Sequence, residues 1–89
     1  MKEKLSFIER YVLSYLRIDI QTQQTMFMID YSNLTNAKLA EHLEVSQRQV
    51  SRYLKHLHDF GYIDIVYEPR LRKIYLTEKY KNQIRSNIL

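Results

Sequence analysis

The sequence predicts a mainly α-helical fold carrying a small β-hairpin, in the order helix, strand, helix, helix, strand, strand, helix. Three observations lead there. Apolar residues recur at three- and four-residue steps through most of the chain, which is the helical period. From about residue 62 the pattern switches to alternation, the strand period, and it is interrupted once at Pro69 before resuming. One Gly and one Pro in 89 residues leave little room for a chain of many hairpins.

The first helix is expected over residues 3–17, where Leu5, Ile8, Val12 and either Tyr15 or Leu16 share a face. Phe7, Tyr11 and Leu13 widen that face, as suits a helix central to a core or shared with a second subunit. Gln21-Thr22-Gln23-Gln24-Thr25 is polar and unperiodic and reads as a loop. Met26-Phe27-Met28-Ile29 is an apolar run of strand length. Thr35 is placed to cap the next helix, in which Leu39, Ala40 and Leu43 keep helical spacing up to Glu44. Ser46 caps a third helix with Val50, Tyr53, Leu54 and Leu57 on its apolar side, and Gly61 closes it. Residues 62–67 and 73–77 form the hairpin arms, and the segment from Glu68 to Arg72 forms its tip. Thr77 caps a last helix bearing Tyr80, Ile84 and Ile88.

Composition excludes several classes. Without cysteine there is no disulfide framework, thiolate metal site or cysteine nucleophile. No apolar run approaches the ~18 residues of a membrane span. The start, Met1 to Ser6, lacks the apolar stretch of a secretory signal, so the expected location is the cytoplasm. A chain of this length is expected to form a single domain over residues 1–89. His56 and His58 lie about 200° apart on one helix and His42 sits on another, so no metal site is expected. No nucleophile–base pair or glycine-rich phosphate loop is present, so neither catalysis nor a cofactor is expected.

The net charge is +4. Residues 1–35 are balanced, and the remainder carries the whole excess, a distribution that suits a polyanionic partner. Within that basic part, the stretch from Asn36 through Val45-Ser46 to Val50-Ser51-Arg52-Tyr53-Leu54 resembles the helix-turn-helix of DNA-binding proteins. Ala40 matches the small residue where the two helices cross, Val45-Ser46 the pair that opens the recognition helix, and Val50 its buried anchor. The hairpin from Gly61 to Leu76 looks like the wing of the winged-helix branch. The resemblance implies a winged helix-turn-helix that binds double-stranded DNA sequence-specifically, as compact bacterial, plasmid or phage transcriptional regulators do. One position departs from the pattern: Glu44 stands where the family usually has glycine for positive φ.

Stepping 100° per residue from Val50 puts Tyr53, Leu54 and Leu57 within about 60° of it. Arg48, Ser51, Arg52 and Lys55 fall at roughly 100–200°, on the opposite side. These four, with Gln47 and Gln49 in the first turn, are the candidate major-groove residues, because arginine pairs with guanine and glutamine with adenine. Arg70, Arg72 and Lys73 on the wing, and Lys38 on the preceding helix, are candidates for the phosphate backbone.

Phe7, Tyr11, Tyr80, Ile84 and Ile88 are candidates for a homodimer interface, which would set two recognition helices on two half-sites. Two other readings use the same fold. One is a DNA-binding accessory factor in plasmid or phage replication or conjugative transfer. The other is a protein–protein adaptor without DNA.

Overall fold

A computed structural model describes residues 4–88, with side chains to Ser86. Four helices and one hairpin follow in the order α1 (Phe7–Phe27), α2 (Asn36–Leu43), α3 (Gln47–Asp59), β1 (Ile63–Tyr67), β2 (Arg72–Leu76) and α4 (Glu78–Ile88).

Short-range capping sets most of the boundaries. Ser6 and Glu9 form a reciprocal capping box at the start of α1, and Ser46 and Gln49 form another at α3. The Thr35 hydroxyl accepts from the Lys38 N–H at α2, and Thr77 accepts from the Tyr80 N–H at α4. Glu44 ends α2 with φ 57°, so a glutamate occupies the left-handed conformation that glycine adopts more readily. After α3, Gly61 takes φ 80° and turns the chain into the hairpin.

The core forms where α1, α2, α3 and the hairpin meet. Val12 and Leu16 from α1, Leu39 from α2, Val50 and Leu57 from α3, Ile63 and Ile74 from the hairpin are fully enclosed. Each such side chain contributes roughly 1.5–3 kcal/mol through burial. The hairpin is antiparallel, with Ile63 opposite Leu76, Ile65 opposite Ile74 and Tyr67 opposite Arg72.

Two expectations about residues 18–30 are corrected. The first helix does not stop at residue 17, because α1 continues through Gln21–Thr25 to Phe27. Glutamine is a good helix former, no glycine or proline interrupts, and Ile20 still reaches the core. Met26–Ile29 is not a strand. Met26 and Phe27 complete the helix, and Met28 caps it in the left-handed conformation. The third strand of the sheet is reduced to a single bridge at Ser32, whose N–H and C=O exchange bonds with Ile74 at 2.8 and 2.9 Å. Ser32 is fully buried there, its hydroxyl donating to Asp19 at 2.7 Å. The start of the expected helix at residue 3 and the side chain of Ile88 lie outside the described residues.

Candidate nucleic-acid interface

The α3 helix has two chemically distinct sides. Val50, Leu54 and Leu57 are buried against the core. Gln47, Arg48, Gln49, Ser51, Arg52 and Lys55 are all exposed. The α2–α3 turn is closed by the Val45 N–H, which donates to the Ala40 carbonyl at 3.1 Å, and Ala40 is itself buried at the crossing.

The six exposed residues differ in how far they are committed. Gln47, Arg48 and Arg52 make no hydrogen bond or ion pair among the described residues, so their donors are available. Gln49 lends its side-chain oxygen to the Ser46 N–H at 3.3 Å. A bidentate contact to adenine uses both ends of a glutamine amide, so Gln49 is only half available for it. The Ser51 hydroxyl accepts from the Asn36 amide at 2.8 Å and keeps its own proton to donate. Lys55 sits 3.0 Å from Asp59 one turn later, an exposed pair.

Wing residues divide as well. Arg70 is exposed at the tip, where the Glu68 N–H donates to the Leu71 carbonyl at 2.9 Å. Lys73 lies 3.3 Å from Glu68 and 4.7 Å from the centre of the Tyr31 ring. The hydrogen bond to Glu68 raises the Lys73 pKa above its ordinary value. Arg72 does not project from the tip. It is half-buried and turned toward the start of α2, donating to the Asn36 side-chain oxygen at 2.5 Å and to the Leu34 carbonyl at 2.6 Å. Burial pushes its pKa below the ordinary value, yet a guanidinium stays charged in proteins. Arg72 therefore joins the wing to α2, a placement at odds with a free backbone grip. Lys38 is exposed in the first turn of α2.

Sequence reasoning missed Asn36. It stands between Arg72 and Ser51 and connects wing, α2 and α3 through two side-chain bonds. Beside it a cavity of about 280 Å³ separates α3 from the hairpin, with Lys55, Tyr67 and Arg72 on its walls. Also missed was the pairing of Glu9 with His56, which ties the start of α1 to α3. Desolvation pushes the Glu9 carboxyl up, but the Ser6 N–H, His56 and the Ser6 hydroxyl more than reverse it, leaving the pKa lowered.

The expected subunit contact is redistributed. Tyr80 is half-buried with its ring 5.6 Å from Tyr62, and Ile84 is half-buried in a cleft against α1. Both therefore face their own chain. Phe7 is 81% exposed, and Tyr11 remains exposed while its hydroxyl meets the His42 ring at 2.9 Å. No described helix is long and apolar enough to cross a membrane, and no described cluster of three His, Asp or Glu could hold a metal ion.

Residues 25–64 match the family model for bacterial regulatory proteins of the arsR family, from the last turn of α1 to the start of β1. No curated protein matches the chain. The matched segment contains both helices of the motif and the turn between them, and the hairpin follows directly. The chain thus carries a winged helix-turn-helix, and its match to this family of regulators supports sequence-specific DNA binding in transcriptional regulation.

Proposed function

We propose that this protein is a homodimeric transcriptional regulator, acting in the cytoplasm by binding duplex DNA and without catalysing a reaction. The observation that carries this reading is the free outward side of α3, where Arg48 and Arg52 stand opposite fully buried anchors and Gln47 is exposed in the first turn. In the proposed complex α3 lies in the major groove. Gln47, Arg48 and Arg52 read base edges, while Gln49, Ser51 and Lys55 contribute through the contacts their own bonds leave free. Arg70 at the wing tip and Lys38 at the start of α2 contact phosphates, with Lys73 able to join by leaving Glu68. Arg72 supports the wing from behind.

The dimer surface in this reading is the outer side of α1. Phe7, Tyr11 and Ile18 are spaced by four and seven residues and lie along one side, and Phe7 and Ile18 are 81% and 55% exposed. Met26, Phe27 and Met28 extend the exposed apolar surface at the end of α1. A second copy of the chain is the occupant that would pair two recognition helices.

Selection of bound fragments from random duplex DNA tests the reading. A recurrent site with two related halves is expected, and recovery of no enriched sequence would contradict it. An accessory role in plasmid or phage replication or transfer uses the same surface and differs in where the selected sites lie, beside an origin rather than a promoter.

A further inference from the structure

A second cleft lies away from α3, between the later half of α1 and α4, with a volume of about 360 Å³. That volume falls within the range of small-molecule sites, ~300–1,000 Å³. Its apolar wall comes from Ile20, Leu76 and Ile84, and its polar wall from Arg17, Lys81 and Arg85. Against these three cations the cleft presents one carboxylate, Asp30.

The three cations are not equivalent. Lys81 is 3.5 Å from Glu78, and Arg85 donates to the Asn82 side-chain oxygen at 3.0 Å. Arg17 makes no hydrogen bond or ion pair among the described residues, and its Nε is shielded from solvent without an acceptor. Beside it stands Tyr80, whose pKa burial raises, so this phenol offers Arg17 no negative charge. A half-buried guanidinium without an anion carries a desolvation penalty that a bound carboxylate would offset. Guanidinium and carboxylate are also matched in shape, since both are planar and can pair through two parallel bonds.

We infer that this cleft binds a small aliphatic carboxylate, its head group on Arg17 with Lys81 and Arg85 nearby and its tail against Ile20, Leu76 and Ile84. The site goes beyond the DNA-binding reading, since none of these residues lies on α3. It gives the fold a place for a small molecule that bridges its first and last helices.

Octanoate is the probe, titrated into the full chain without DNA and followed by calorimetry and amide chemical shifts. Saturable binding is expected, with shifts centred on α1 and α4. Octanol, which keeps the tail, and acetate, which keeps the head, should each bind at least tenfold more weakly. Octylammonium should bind no better than octanol. Arg17→Gln should weaken octanoate at least tenfold. If that variant does not fold, Arg85→Gln combined with Lys81→Gln, both at exposed positions, should weaken it by a similar factor. Equal binding of octanol and octanoate, unchanged affinity in the folded Arg17 variant or in the double variant, or shifts scattered outside the cleft would overturn the assignment.

Discussion

Arg72 in β2 and Asn36 at the start of α2 are joined by a hydrogen bond of 2.5 Å, with the guanidinium donating to the amide oxygen. The same Asn36 donates to Ser51 on the recognition helix at 2.8 Å. The wing is thereby held in register with α3 through one side chain, 36 residues from Arg72 in sequence. Replacing Arg72 with alanine leaves Asn36 and the Leu34 carbonyl without their donor and should cost about 1.5–3 kcal/mol of stability. Arg70→Ala, at an exposed tip, should change stability by less than about 0.5 kcal/mol while lowering the salt slope of DNA binding by about one. Urea unfolding and fluorescence anisotropy of the two variants check this. A stable Arg72→Ala with only a DNA defect would show that Arg72 acts directly on phosphate.

Glu44 carries positive φ at the turn between α2 and α3. A left-handed backbone costs an L-residue ~1–2 kcal/mol, and glycine returns part of that through its larger unfolded-state entropy. Glu44→Gly should therefore stabilise the fold by about 0.5–1 kcal/mol, read as a shift in the urea midpoint with unchanged slope. A destabilised variant would mean that the Glu44 side chain contributes more than its backbone strain costs.

The buried Glu9 carboxylate links Ser6 to His56, and its pKa lies below the ordinary 4.5. A carboxyl whose folded pKa is depressed adds stability that is complete above its unfolded pKa and lost as pH falls through the folded value. Unfolding free energy should therefore decline as pH drops below about 4.5, beyond the loss shared by other carboxylates. Glu9→Gln should lower stability by ~2 kcal/mol at neutral pH and flatten that decline. Thermal melts from pH 3 to 7 on both proteins make the comparison, and parallel curves would remove Glu9 from the account.

Phe7 and Ile18 occupy the outer side of α1 without core contacts to lose. Phe7→Glu with Ile18→Glu should leave the monomer fold intact and convert a dimer to a monomer in sedimentation equilibrium. The same change should weaken binding to a two-half site more than to a single half-site. Unaltered mass in the double variant would move the dimer contact elsewhere.

Local signals were the legible part of the sequence. Ser46, Thr35 and Thr77 announced helix starts because a cap needs only residues within one turn. Val50, Leu54 and Leu57 announced their burial through helical period alone. Gln21–Thr25 reads as a loop in the sequence because its polarity reports solvent exposure, which an exposed helical turn shares with a loop. The apolar run at Met26–Ile29 suggests a strand, whereas the bridge falls at Ser32, a buried polar residue with no apolar signature. Asn36 was invisible because its role depends on Arg72 arriving across the fold. Tyr80 and Ile84 showed an apolar stripe, but spacing does not say which chain covers it. On α3, the exposure of Arg48 and Arg52 follows directly from the placement of Val50, so the candidate groove-reading face was the most legible feature of the site.

Equilibrium binding of a selected duplex and a scrambled duplex across a salt series, for the natural chain and for Arg52→Ala, tests whether the outer side of α3 reads DNA sequence. Steeply salt-dependent binding is expected, with clear preference for the selected duplex. Arg52→Ala should lose about 1–3 kcal/mol on that duplex and much less on the scrambled one. Equal losses on both duplexes, or no salt-dependent binding by the natural chain, would contradict it.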